Sequence, residues 1–212
     1  MLSLVTNAIE FLALTFAFFL LRKDPNFIWK GFIYYLLFVC LIEAGGFLLH
    51  RYRHGNSWLY NIYILVEAGF NSYIFLKFFN KYKPSKIWFG SGLALLALIY
   101  LYDFADHGFG IFNTLTTTVM SVLFVIYGIY YYYLLLRADE YVELKTHPPF
   151  WWVTGTVFFY FGSSVCNLVF LLIWTQPLSY RFYIYMGLVA LLYGFWTYSF
   201  LCRYRQTRQR LS

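Results

Sequence analysis

Apolar runs of about twenty residues with almost no charge make up most of this chain, and the stable environment for such a run is the hydrocarbon of a bilayer. The runs fall at residues 2–21, 32–49, 58–79, 87–102, 112–136, 150–174 and 183–202. A bilayer core about 30 Å thick asks for roughly 20 helical residues, and every run except 87–102 approaches or exceeds that length. Lipid offers no hydrogen bonds to the backbone, so the runs are expected to be helices rather than strands. Only 12% of the 212 residues are charged and 61% are apolar or aromatic, which leaves too little polar surface to cover a globule in water. A soluble enzyme, a disordered chain and a disulfide scaffold are thereby excluded. The expected fold is an all-α integral membrane protein with seven transmembrane helices in one domain, residues 1–212, in a plasma or inner membrane.

Charge sets the expected orientation. Thirteen of the 16 basic residues fall in the first, third and fifth connections and the tail, among them Arg22, Lys23, Lys81, Lys83, Lys145, Arg203 and Arg205. The other connections hold only Arg51, Arg53 and Arg181. The positive-inside rule then places the N-terminus outside and a basic tail, 203–212, in the cytosol. Trp29, Trp88, Trp151 and Trp152 fall at inner ends and Trp58 and Trp174 at outer ends, where amphipathic rings favour the headgroup level. The net charge of +7 is explained by this distribution, so nucleic acid is not an expected partner. The first basic residue, Arg22, follows the first run, which is therefore read as a retained helix and not a signal peptide. Cys40, Cys166 and Cys202 lie inside apolar runs without metal-site spacing and read as small core residues.

The first helix ends Phe-Phe-Leu-Leu-Arg-Lys-Asp at Asp24 and the fifth ends Tyr-Leu-Leu-Leu-Arg-Ala-Asp at Asp139. That echo suggests a parallel 3+1+3 plan, with triplets over 1–79 and 112–202 and a linker helix at 87–102. Small sugar transporters and microbial opsins share the layout, but their marks are missing. No Schiff-base lysine lies in 183–202, so retinal is not expected, and the last loop reads Gln176-Pro177 rather than Pro-Gln. Neither an Asp-Arg-Tyr-like triplet on helix three nor Asn-Pro-x-x-Tyr on helix seven marks a G-protein-coupled receptor.

Ionisable groups inside a bilayer are costly and tend to be functional, and here the clear ones are Glu10, Glu43 and Glu67. At 1.5 Å per residue all three sit roughly 10 to 14 Å below the outer surface. Each lies on a stripe of small or polar residues: Ser3, Thr6 and Ala13 beside Glu10; Gly46 and His50 beside Glu43; Tyr60, Tyr63 and Asn71 beside Glu67. Helix five adds Asn113, and helix six adds Tyr160, Ser163 and Asn167. No intramembrane Lys or Arg pairs with these carboxylates, which are therefore expected to bind a proton or to meet a cation. The expected site is an outward-facing acidic pocket lined by Glu10, Glu43, Tyr60, Tyr63, Glu67, Asn71, Asn113, Tyr160 and Asn167. His50, His107 and Asp103 at the outer boundary are side chains suited to a divalent metal, although their spacing matches no metal motif.

These residues fit a binding or sensing protein for a small molecule or cation that signals through a separate cytosolic or membrane effector. The prolines all lie in loops or at helix starts and the inner half holds no ionisable path, which places a small proton- or cation-coupled transporter second. A metal-dependent membrane hydrolase comes third, because only the outer His and Asp cluster could activate water.

Overall fold

The computed structural model describes residues 2–52, 55–83, 86–108, 110–138, 142–172 and 178–209. Among them the chain is all-helical, with α1 (Leu2–Leu21), α2 (Phe27–Arg51), α3 (Ser57–Phe79), α4 (Lys86–His107), α5 (Thr114–Leu136), α6 (Pro148–Leu172) and α7 (Leu178–Gln209), and a 3-10 turn at Leu144–Thr146. Five spans are long and apolar enough to cross a membrane: Phe27–Leu49, Ser57–Phe79, Lys86–Asp106, Thr114–Leu136 and Phe182–Gln209. Burial agrees with a lipid solvent, since Phe11 and Leu98 are 63% and 66% exposed whereas Asn61, Asn71 and Ser72 are each 1% exposed. That inversion of the usual rule is stable only where the surroundings are apolar.

Several helices run past their apolar stretches. α2 begins at Phe27, not at residue 32, because the Asn26 side chain caps it, accepting a hydrogen bond from the Ile28 N–H at 2.9 Å. α4 continues through Asp103 to His107, past the apolar run that ends at residue 102, so this acidic stretch is helical. α6 opens on Pro148, where a missing N–H costs nothing. α7 continues through Arg203 and Arg205 to Gln209, so the basic tail is helical over its described part.

The chain forms two compact units, Met1–Phe38 with Asp139–Ser212, and Val39–Ala138. The first unit thus joins the two ends of the chain, and the second holds its middle. In the first unit, Phe32 of α2 lies among Trp152 of α6 and Trp196 and Phe200 of α7, with ring centroids 5.3 to 5.9 Å away. Pairs of this kind are worth about 0.5–1.5 kcal/mol beyond the area they bury. Helix association in lipid depends on close packing, and Gly155 and Gly162 supply it: a Cβ at Gly155 would come within 2.8 Å of Phe195 Cβ, and one at Gly162 within 2.5 Å of Leu188. Trp196 Nε1 donates to Thr156 Oγ1 at 3.2 Å, and Ser199 Oγ donates to the Pro148 carbonyl at 2.7 Å.

In the second unit α3 and α5 run parallel in constant register. Asn61 meets Asn113, 52 positions on, and Phe75 meets Tyr127 at the same separation, with ring centroids 5.6 Å apart. α4 runs antiparallel to α5, as Asp103 meets Thr116 and Phe89 meets Tyr127. The interior of this three-helix group is divided along its length. One end holds the buried polar residues Asn61, Asp103, Asn113 and Thr116, and the other holds Phe75, Phe79, Phe89, Phe124, Tyr127 and Tyr131.

Candidate functional site

The polar end of the second unit brings two of the glutamates onto tyrosine hydroxyls. Tyr60 of α3 donates to Glu43 Oε2 of α2 at 3.2 Å. One turn beyond Glu43, a Cβ at Gly46 would lie 2.6 Å from the Tyr60 hydroxyl oxygen, so the glycine makes room for the ring that reaches Glu43. Asn56 Nδ2 adds a bond to the Gly46 carbonyl at 3.4 Å. On α3 itself Tyr63 donates to Glu67 Oε1 at 3.2 Å, four residues along the same helix face. Asn71, one turn further, is 1% exposed.

Asn113 is also buried, and its backbone N–H donates to Asn61 Oδ1 at 3.0 Å while Asn61 Nδ2 donates to the Ile111 carbonyl at 2.8 Å. Among the described residues neither polar atom of the Asn113 side chain has a hydrogen-bond partner. Asn61 was not among the residues expected at the site. The available signal was its place at the head of the buried stripe Asn61, Ile64, Ala68 and Asn71, at helical spacing.

Glu10 and Tyr160 belong to the first unit, where they are 7% and 4% exposed, and the side chain of Asn167 lies outside the described residues. The nine expected pocket residues are thus distributed over both units, and the contacts described above lie within the second. Asp103, 5% exposed, spends Oδ2 on the start of α5, accepting from the Thr116 N–H at 3.0 Å and from Thr116 Oγ1 at 2.9 Å. A carboxylate there satisfies an orphan helix donor and faces the positive end of the α5 dipole. The side chains of His50 and His107 lie outside the described residues, among which no group of three His, Cys, Asp or Glu side chains is placed to hold a metal ion.

A further polar cluster, unforeseen from the sequence, ties the ends of α1, α2 and α7. Arg203 donates from Nε to Asp24 Oδ2 at 2.7 Å and from Nη2 to Oδ1 at 3.0 Å, a bidentate pair. The Asn26 N–H reaches Oδ1 at 2.7 Å and Thr207 Oγ1 reaches Oδ2 at 3.2 Å. Burial alone would push the Asp24 carboxyl up, but Arg203, the Asn26 amide and Thr207 together hold it below the usual carboxylate range. The Arg203 guanidinium also lies 5.7 Å from the centroid of Trp29. Compared with known protein families, curated proteins and solved structures, the chain matches none.

Proposed function

We propose that the protein is an integral membrane binding or sensing protein that takes a small cationic or hydrogen-bonding molecule on the carboxylate and tyrosine wall of α2 and α3. In this reading seven helices span the bilayer with the N-terminus outside, the wall opens outward, and a separate effector carries the signal. The observation that carries it is the pairing of Glu43 and Glu67 with the hydroxyls of Tyr60 and Tyr63. No Lys or Arg lies in α2 between Lys30 and Arg51, or in α3 before Lys77. A tyrosine hydroxyl is a neutral donor, so it orients a carboxylate without cancelling its charge, and its ring face attracts a cation. The enclosed side-chain amide of Asn113 supplies a donor and an acceptor within the same unit.

The test is binding of tetramethylammonium and of Zn²⁺, as separate probes, to the detergent-purified full chain by calorimetry. At least one probe should bind the wild type, and Glu43→Gln and Glu67→Gln should each weaken it tenfold or more while melting no lower than the wild type. Gln keeps the shape and removes the charge. Binding unaltered in both variants would reduce the glutamates to helix-joining hydrogen bonds, and flux of the bound probe across proteoliposomes would move the reading to a carrier.

A further inference from the structure

On the first unit an open groove of about 330 Å³ runs between α6 and α7, lined by Trp151, Ala190, Leu191, Gly194, Phe195 and Tyr198. Its walls are rigid, because Trp151 stacks on Phe195 at 5.7 Å and meets Tyr198 edge-on at 4.8 Å. Its floor is low where Gly194 has open space above it, with nothing within 4 Å of a would-be Cβ. The groove is apolar, yet one end is fixed to a cation. Trp151 Nε1 and the Tyr198 hydroxyl both donate to the backbone carbonyl of Lys145, at 3.0 and 3.5 Å, which holds the Lys145 turn at the mouth of the groove with its side chain exposed.

α7 extends the same line. Leu191, Gly194, Tyr198, Arg205 and Arg208 form one exposed stripe at helical spacing, so Arg205 stands about 10 Å beyond Tyr198 on the face that lines the groove. The one acidic side chain in the Lys145 turn, Glu143, accepts a hydrogen bond from Thr146 Oγ1 at 3.1 Å. Asp24, at the same end of α7, is held by Arg203. Lys145, Arg205 and Arg208 therefore present positive charge at the end of an apolar slot.

We propose that this groove is a binding site for one anionic phospholipid, with an acyl chain lying against Trp151, Gly194 and Tyr198 and the phosphate headgroup held by Lys145 and Arg205. A zwitterionic lipid would fill the slot equally well but would gain less from the two cations. The site lies within the first unit and does not depend on the glutamates of α2 and α3. Cations at a membrane surface contribute about 1 kcal/mol each toward an anionic lipid, roughly a fivefold change in association per charge.

The experiment reconstitutes the full chain in phosphatidylcholine bilayers and measures, by electron paramagnetic resonance, the association of spin-labelled phosphatidylglycerol relative to spin-labelled phosphatidylcholine. The wild type should prefer the anionic lipid several-fold. Lys145→Gln and Arg205→Gln should each cut that preference by up to about fivefold, and the double variant should bring it to parity. Gly194→Leu, which raises the groove floor at a position with free space, should abolish the preference with every charge intact. Selectivity unchanged in Gly194→Leu would mean that the cations act as a diffuse basic belt and would overturn the site. Selectivity unchanged in both charge variants would overturn it equally. A lipid-independent dimer that Gly194→Leu dissociates would assign the groove to a second copy of the chain, against the proposal.

Discussion

Asp24→Asn removes one partner of the Asp24–Arg203 ion pair, and its cost can be worked from the geometry. Asp24 is 2% exposed and the Arg203 side chain 15% exposed, so the pair lies largely out of solvent. The substitution removes the charge and replaces one acceptor oxygen by a donor facing the guanidinium. The bidentate contact is thereby lost, while one oxygen remains for the Asn26 N–H or Thr207. Breaking a buried pair by removing one partner costs about 3–5 kcal/mol. Arg203 can turn toward water at the helix end and retains Trp29 beneath it, so the expected cost is nearer 2–3 kcal/mol. For a chain of this length that corresponds to a fall of roughly 4–12 °C in Tm.

The carboxyl is held below its ordinary value, so its stabilisation is fully present above the unfolded value of about 3.9 and is lost as pH falls through the lower folded value. Thermal unfolding in detergent should therefore give a constant gap between wild type and Asp24→Asn from pH 5 to 8, narrowing below about pH 4. Adding Arg203→Met to Asp24→Asn should recover part of the loss, because no uncompensated charge then remains. A single variant that melts within about 1 °C of the wild type at pH 7, or a gap still undiminished at about pH 3, would refute the account.

Two further outcomes are expected. Asp103→Ala should destabilise by about 1–2 kcal/mol and speed hydrogen exchange at the Thr116 amide, with Asp103→Asn intermediate because it keeps an acceptor but loses the charge facing α5; unchanged exchange in both variants would deny the cap. For the proposed orientation, a membrane-impermeant thiol reagent on intact cells should label a cysteine placed at Asn56 and spare one placed at Gln206. Labelling in the opposite sense would invert the orientation and with it the outward opening of the glutamate wall.

The helical class of the chain follows from its sequence alone, because an apolar run has to pair its own backbone groups wherever lipid surrounds it, and only a helix does so within one segment. The 3.6-residue period likewise carries the face of a helix into the sequence, so that Tyr63 and Glu67, four residues apart, fall on one face, where the hydroxyl reaches the carboxylate. Helix ends were less legible, because polar residues read as loop wherever their partners are remote. Asp24 and Arg203 are 179 positions apart, and Asp103 caps a helix that begins after an intervening loop. The helical spacing of Asn61 with Ile64, Ala68 and Asn71 is present in the sequence, but its partner, the loop carbonyl of Ile111, is brought to it only by the fold. The grouping of α1 with α6 and α7, and of α3 with α4 and α5, also lay beyond the sequence. Hydropathy is nearly uniform around helices that face lipid on one side and aromatic neighbours on the other, so partners are chosen by shape, through glycines such as Gly155 and rings such as Phe32, and shape exists only once the chain is folded.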